Sequence, residues 1–234
     1  MYERGEIMTE QERLDILQWV CDHFFENDIV RGYTKLKYSL SVFNKTIPTA
    51  IWRIKNRIMH EENVRDYMPM PIFTDLILIN TTGGSTPAHI DPNIEDYTQI
   101  RYNVGILMPK TGSKTVYNGR AVNIKNRHYA LCRSGIDIHS VDINTSEHPR
   151  IMLSYSFCVP SSNVKDNIIL ASPKDNIVKI GNVYYNRDPL NTNLWPSPIT
   201  TLNFIVSKAY IYGLNWWVTN RLGNDMTVRE YIDS

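Results

Sequence analysis

The sequence predicts a mainly β domain of sandwich or barrel type with flanking helices. Two observations carry that prediction. From about residue 72 the apolar residues abandon a three- and four-residue period and gather into short runs rich in Ile, Val, Leu and Tyr, separated by turn residues. Upstream of that point, and again near the C-terminus, helical periodicity holds. The 234 residues accordingly divide into helical support (1–71), a β core (72–160) and a C-terminal extension (161–234).

In the first part, Thr9 with Glu12 three positions on is a capping-box pattern. Leu14, Leu17, Val20 or Cys21, and Phe24 then follow at helical steps and form one apolar stripe. A second helix is predicted to start at Pro48, a residue suited to a first turn. Ile51, Ile54 and Ile58 line one of its faces, while Arg53, Lys55 and Arg57 point elsewhere as a solvated basic face. Both stripes need a surface to pack on.

The predicted strands are Asp75–Asn80, Ile100–Met108, Thr115–Tyr117, Tyr129–Cys132, Ile138–Val141 and Ile151–Val159. Residues 109–114 (PKTGSK) carry hairpin-turn chemistry between two of them. Cys132 and Cys158 are read as buried strand residues. Beyond Pro160, Ile177–Tyr185 is a strand or hairpin, and 188–198 is a loop rich in proline and asparagine. Thr201–Arg221 is predicted as a helix ended by Gly223. Its aromatic residues Tyr210, Tyr212, Trp216 and Trp217 are read as core in preference to a dimer face or a substrate platform.

Composition excludes several classes. A 42% apolar and 21% charged chain is not disordered. Twenty-five basic against 24 acidic residues leave +1, which gives no general pull toward a nucleic-acid backbone. Three cysteines without ligand spacing read as reduced thiols, the N-terminus has no apolar signal region, and no apolar window is long enough to span a membrane. The expectation is a cytoplasmic protein. An excess of isoleucine over alanine suggests an AT-rich genome, such as that of a virus or phage acting in a host cytoplasm.

The chemistry-bearing residues sit in the β region: His89-Ile90-Asp91, His139 fifty residues after the first histidine, and Arg150 eleven residues after the second. In a strand, positions i and i+2 share a face, so His89 and Asp91 can present a nitrogen and a carboxylate oxygen to one point. A second histidine from another strand completes a set of two imidazoles and one carboxylate, the donor set of non-haem Fe(II) oxygenases, with coordination positions left open. Arg150 adds a permanently charged fork that grips a carboxylate. Ser154, on the same face of that strand, and Thr115 or Tyr117 on a neighbouring one would add hydroxyls. His23 and His60 lie in helices without partners, and His128 and His148 are assigned to loops, with His148 close enough to Arg150 to compete as a substrate contact.

His-x-Asp, a distal His within His-Ser-Val, and an Arg about ten residues later resemble the Fe(II)/2-oxoglutarate-dependent dioxygenases. The resemblance spans roughly residues 72–160. Arg101-Tyr-Asn-Val104 is similar to the strand after His-x-Asp in the aspartyl/asparaginyl β-hydroxylase-like and prolyl-hydroxylase-like branches. Thr115-Val-Tyr117 is similar to the family's Gly-Gly-x-Thr-x-Tyr hairpin. The resemblance implies a double-stranded β-helix (a jelly-roll, cupin-like core) with the N-terminal helices packed on one face. It implies that His89, Asp91 and His139 are the iron ligands and that Arg150 holds the distal carboxylate of 2-oxoglutarate, with Asn103 and Arg101 as weaker contacts. Met152 replaces the serine that many members carry two residues after the arginine, and Gly112-Ser-Lys replaces a glycine pair.

The implied cofactors are Fe(II), 2-oxoglutarate as co-substrate and O2, and the implied reaction is hydroxylation of an unactivated C–H bond, with halogenation disfavoured because Asp91 is itself a ligand. The expected substrate is a peptidyl or free amino-acid side chain, hence a peptide or small molecule. The alternatives are a nucleobase- or nucleotide-modifying dioxygenase of the same fold and a non-catalytic metal-binding cupin-like module. A homodimer through the C-terminal aromatic helix is compatible with the pattern.

Overall fold

In chain order the elements leading into the β core are β1 (Glu3–Glu6), α1 (Glu10–Val20), β2 (Lys35–Ser39), α2 (Thr49–Glu61) and the two-residue β3 (Met68–Pro69). Eight strands follow: β4 (Asp75–Asn80), β5 (Thr86–His89), β6 (Tyr97–Leu107), β7 (Thr115–Tyr117), β8 (Arg120–Val122), β9 (His128–Cys132), β10 (His139–Val141) and β11 (Arg150–Pro160). This computed structural model describes residues 3–30, 33–40, 47–64, 67–69, 75–93, 97–165, 168–169, 177–180 and 183–186.

The larger sheet runs β1-β9-β6-β11-β4-β2, with β3 also paired to β11, and the smaller runs β5-β10-β7-β8. All named strand pairs in both sheets are antiparallel. From β4 onward the chain alternates between sheets: β4 large, β5 small, β6 large, β7 and β8 small, β9 large, β10 small, β11 large. That is the path of a double-stranded β-helix, in which two short-edged sheets face one another.

The alternation of residues along the long strands sorts two layers. On β6, Ile100, Tyr102, Val104 and Ile106 point outward into the principal core, as do Ile151, Leu153, Tyr155 and Phe157 on β11. The helices cover this face: Ile16, Trp19, Val20 and Phe24 from the first, Ile51, Ile54 and Ile58 from α2. Tyr155 donates its hydroxyl proton to the Ile51 carbonyl at 2.8 Å, tying β11 to α2. Each fully buried Ile or Leu contributes about 2 kcal/mol, so the helical support is an energetic necessity for a sheet with one greasy face. The opposite face, toward the small sheet, carries Gln99, Arg101, Asn103, Arg150, Met152, Ser154 and Ser156, with a smaller apolar cluster of Tyr117, Val122, Ile124, Ala130, Cys132 and Met152. Polar residues there are placed to work between the sheets.

Several expectations need correction. The capping box at Thr9 and Glu12 is present, but the buried stripe of α1 is Glu12, Ile16, Trp19 and Val20, while Leu14 is 45% exposed. Val20 and Phe24 of the predicted stripe are in the core and Leu17 packs against it; the buried face is shifted at its start, so that Ile16 replaces Leu14 and Glu12 meets Arg57 and Arg53 of α2. One π-helical turn, Cys21–Phe25, then keeps Phe24 on the core. Helix α2 begins at Thr49, just after Pro48, and Lys55 does not join a solvated face: it is buried and its Nζ lies 2.8 Å from Asp75 Oδ2. Residues 109–114 connect β6 to β7 in the other sheet; the hairpin is at Asn118-Gly119, both with positive φ (48° and 75°) between β7 and β8. An Asn-Gly pair between strands is the signature of that tight turn. His128 opens β9 and so is a strand residue, and His23 has a partner: its Nδ1 lies 2.9 Å from the Trp19 carbonyl.

Cys132 and Cys158 are buried in strands and are not joined in a disulfide. Residues 177–180 and 183–186 form an antiparallel hairpin. The helix expected at Thr201–Arg221, with Trp216 and Trp217, lies outside the described residues.

Candidate metal centre

Strand β10 is the hinge of the site. In the register of the small sheet, His139 stands opposite His89 on β5 and opposite Tyr117 on β7. The two imidazole centroids are 4.2 Å apart. Asp91 follows β5 by two residues and is anchored by its own N–H, which donates to the Ser134 carbonyl at 2.8 Å. Its carboxylate reaches both rings: His89 Nε2 lies 3.5 Å from Oδ1, and His139 Nε2 lies 4.0 Å from Oδ2. One donor atom from each of the three residues fits within a span of 4.8 Å.

The protonation of both rings follows from their neighbours. His89 Nδ1 lies 2.8 Å from the Pro87 carbonyl and His139 Nδ1 lies 3.0 Å from the Asp137 carbonyl. A carbonyl only accepts, so each Nδ1 carries the hydrogen and each neutral ring has its lone pair at Nε2, the atom that faces Asp91. Burial lowers the pKa of His139, outweighing the Asp137 carbonyl and Asp91, and so favours the neutral, ligating form.

The loop before His139 is braced from the β7–β8 turn. Asn118 exchanges backbone and side-chain bonds with Ile138, and its Nδ2 donates to Asp137 Oδ1, which Arg133 also holds at 2.8 Å. Asp91 is braced by Arg101, whose Nε donates to Oδ2 at 2.7 Å while Nη1 donates to Ser156 Oγ. Burial opposes the Asp91 charge, but Arg101, with His139 and Lys37, outweighs it and holds the carboxyl below its ordinary range. Second partners of this kind orient ligating groups.

A cleft with about 660 Å³ of empty space, part of it open to solvent, lies between the sheets. Its lining includes His89, Asp91, His139, Arg101, Asn103, Thr115, Tyr117, Arg150 and Ser154, so all nine site residues expected from sequence face one cavity. Arg150 is 3% exposed; its Nη2 donates to Thr115 Oγ1 at 2.7 Å, and its Nε has no partner. Burial lowers its pKa to about 10, so it remains a cation at neutral pH. Ser154 Oγ, Asn103 Oδ1 and Asn80 Nδ2 are likewise buried without partners, and all line the same cleft. Asn103 spends its Nδ2 on the Tyr117 hydroxyl at 2.9 Å. Unsatisfied buried polar atoms are costly, and four of them around one cavity mark a place where ligand atoms belong.

His148 is exposed and does not line the cleft, which removes it as a competitor to Arg150. Sequence reasoning missed Asn80, Lys35 and Lys37, which do line it. The signal for the lysines was present: Lys35-Leu-Lys37-Tyr-Ser39 alternates with period two, and Leu36 is the core-facing residue.

No protein-family model and no curated protein matches the sequence. Solved structures do match in fold. AviO1 from Streptomyces viridochromogenes Tue57 matches at 9% identity and a TM-score of 0.51, over 68% of this chain and 89% of that one. A prolyl hydroxylase from Trichoplax adhaerens, solved with a hypoxia inducible factor peptide fragment, matches at 13% identity and a TM-score of 0.51, over 68% and 83%. These likenesses agree with the double-stranded β-helix path of the strands. No helix among the described residues is long and apolar enough to cross a membrane.

Proposed function

We propose that this chain is an Fe(II)- and 2-oxoglutarate-dependent oxygenase that hydroxylates an unactivated C–H bond of a peptidyl or free amino-acid side chain. The observation that carries the reading is the pairing of two features in one cleft. Two imidazole Nε2 donors and one carboxylate converge, and a buried arginine with an unbonded Nε lies in the same cavity. Two imidazoles and one carboxylate suit ferrous iron and leave coordination positions for other ligands.

In this reading His89, Asp91 and His139 hold the metal. Bound there with 2-oxoglutarate, ferrous iron supplies the activation of O2 and the oxidation of substrate. The protein supplies position. Arg150 grips the far carboxylate of the co-substrate, with Thr115 fixing the orientation of its fork and Ser154 and Asn80 offering further hydrogen bonds to the same anion. Asn103, held by Tyr117, sets the polar wall beside it. Arg101 keeps the Asp91 carboxylate ionised and aimed. The layered sheets shield the co-substrate from bulk water while the exposed side of His89 leaves an approach for substrate. The fold shared with a prolyl hydroxylase solved with a peptide supports the choice of an amino-acid side chain as target.

The test is spectroscopic and then chemical. Anaerobic Fe(II) with 2-oxoglutarate should give a weak visible charge-transfer band that is lost in His139→Ala. A wild-type protein without the band at saturating iron and co-substrate contradicts the proposal. Mass spectrometry of amino acids and peptides incubated with the loaded enzyme should then reveal the gain of one oxygen atom.

A further inference from the structure

The hydrogen bond that fixes the His139 tautomer runs to a peptide group that is held at both ends. Its carbonyl, that of Asp137, accepts from His139 Nδ1 at 3.0 Å. Its N–H, that of Ile138, donates to Asn118 Oδ1 at 3.0 Å. A continuous path therefore leads from the amide of a hairpin turn, through one peptide unit, to a candidate metal ligand. Because the peptide unit is planar, a plane held at its N–H cannot turn its carbonyl away from the ring. Hydrogen bonds in such a chain also polarise one another.

The place of this group in the fold explains why it needs a clamp. The ladder between β10 and β7 begins at the His139–Tyr117 pair, so the Asp137–Ile138 peptide stands just beyond it. Ile138 is 51% exposed, and without Asn118 its N–H would face water and leave the plane free to turn. Charge sets the orientation of the clamp itself. Asp137 is 1% exposed, and its Oδ1 accepts from Asn118 Nδ2 at 2.9 Å while Arg133 binds both carboxylate oxygens. A carboxylate only accepts, so it draws the amide nitrogen to itself and leaves the amide oxygen for Ile138. The Asn118 N–H donates to the Ile138 carbonyl at 2.8 Å and holds the following peptide as well. One turn residue thus restrains both peptide groups that lead into His139.

We infer that Asn118 is a positioning residue for His139: acting through the Asp137–Ile138 peptide, it holds the imidazole so that Nε2 faces the metal position. This rests on the proposed role of His139 as a ligand and assigns the β7–β8 turn a part in the same site. The turn alone does not call for asparagine. A positive φ at this position suits glycine at least as well. What glycine lacks is the amide that reaches Ile138 on one side and Asp137 on the other.

The experiment uses the full chain and readouts that do not depend on turnover. Nitrogen NMR of isotope-labelled histidine, at a pH where imidazoles are neutral, reports the His139 tautomer, its resonances identified by their loss in His139→Ala. Titration with Co(II), followed by visible absorption, reports metal affinity. In Asn118→Gly the hairpin is retained, the single Nδ1–H form should give way to a mixture of tautomers, and Co(II) affinity should fall about tenfold or more. Asn118→Asp should also weaken binding, by setting two carboxylates against each other. Asn118→Asp/Asp137→Asn should recover most of that loss, because the bond is rebuilt with donor and acceptor exchanged. An unchanged tautomer or unchanged Co(II) affinity in Asn118→Gly overturns the inference, as does a loss in Asn118→Asp that the exchange fails to recover. Failure of the wild type to bind Co(II), or binding indifferent to His139→Ala, would instead strike the ligand assignment of the proposed function.

Discussion

Replacing Arg150 with methionine should invert the stability order of the two proteins when 2-oxoglutarate is added. The guanidinium is 3% exposed and gives one hydrogen bond to Thr115, with Nε unbonded. A buried cation so sparsely partnered costs stability, and an apolar side chain of similar length should raise the ligand-free protein by about 1–2 kcal/mol, or roughly 3–6 °C in Tm for a chain of this size. With co-substrate the sign reverses. Losing a buried charge-assisted pair weakens binding by about 3 kcal/mol, roughly a hundredfold in Kd. At a concentration a hundred times the wild-type Kd, 2-oxoglutarate stabilises wild type by about 2.7 kcal/mol but Arg150→Met by only about 0.4 kcal/mol. Thermal unfolding of metal-loaded protein, with and without 2-oxoglutarate, reads all four states. Equal stabilisation of both proteins by the ligand, or a variant several kcal/mol less stable without it, would refute the reasoning and make Arg150 a structural cation.

Arg101→Met should weaken metal binding by roughly 10–100-fold, with Arg101→Lys recovering part of it, because the guanidinium orients the Asp91 carboxylate; an unchanged metal titration would dismiss that role. Lys55→Met should cost about 3–5 kcal/mol by stranding Asp75 beneath the sheet, and Lys55→Met/Asp75→Leu should recover most of it in chemical denaturation. Glu12 should govern the acid limb of stability. Burial opposes its charge, but Arg57, Thr9 and Arg53 outweigh that and lower its pKa to about 2, against an ordinary value of 4.5. A lowered folded-state pKa stabilises above the unfolded value, so about 2–3 kcal/mol should be present above pH 4.5 and drain away as pH falls toward 2. Glu12→Gln should flatten that limb, and an identical pH profile would show that the cluster contributes nothing.

The parts of this molecule legible in sequence were those encoded by short-range pattern. Asp75–Asn80 and Thr115–Tyr117 were located to the residue because apolar runs bounded by turn residues leave little choice of register. The metal-ligand candidates were legible because His-x-Asp on an extended segment restricts where two donors can point. Elements stabilised by partners distant in sequence were not. Strand β1 is an exposed edge segment held by pairing with β9 and carries no signal of its own, and β2 offers only a five-residue alternation with one buried apolar residue. Lys55 looked like surface because its counter-charge lies 20 residues away in sequence, on β4. On α1 the predicted stripe holds at Val20 and Phe24, with Leu17 packed beside them, but Leu14 is exposed and Ile16 is buried in addition, on the side where Glu12 meets Arg57.

The metal-ligand candidates sit on or beside the small sheet and Arg150 sits on the large one, with the Arg150–Thr115 bond bridging the gap. The cleft is therefore a caliper whose jaws are two independent layers, and the bridging hydroxyl is its locking screw. In the proposed function that opening gauges the length of the diacid held between metal and Arg150. Trimming the screw, as in Thr115→Val, should relax the gauge so that the preference between diacids one carbon shorter or longer than 2-oxoglutarate narrows, even with every metal donor left in place.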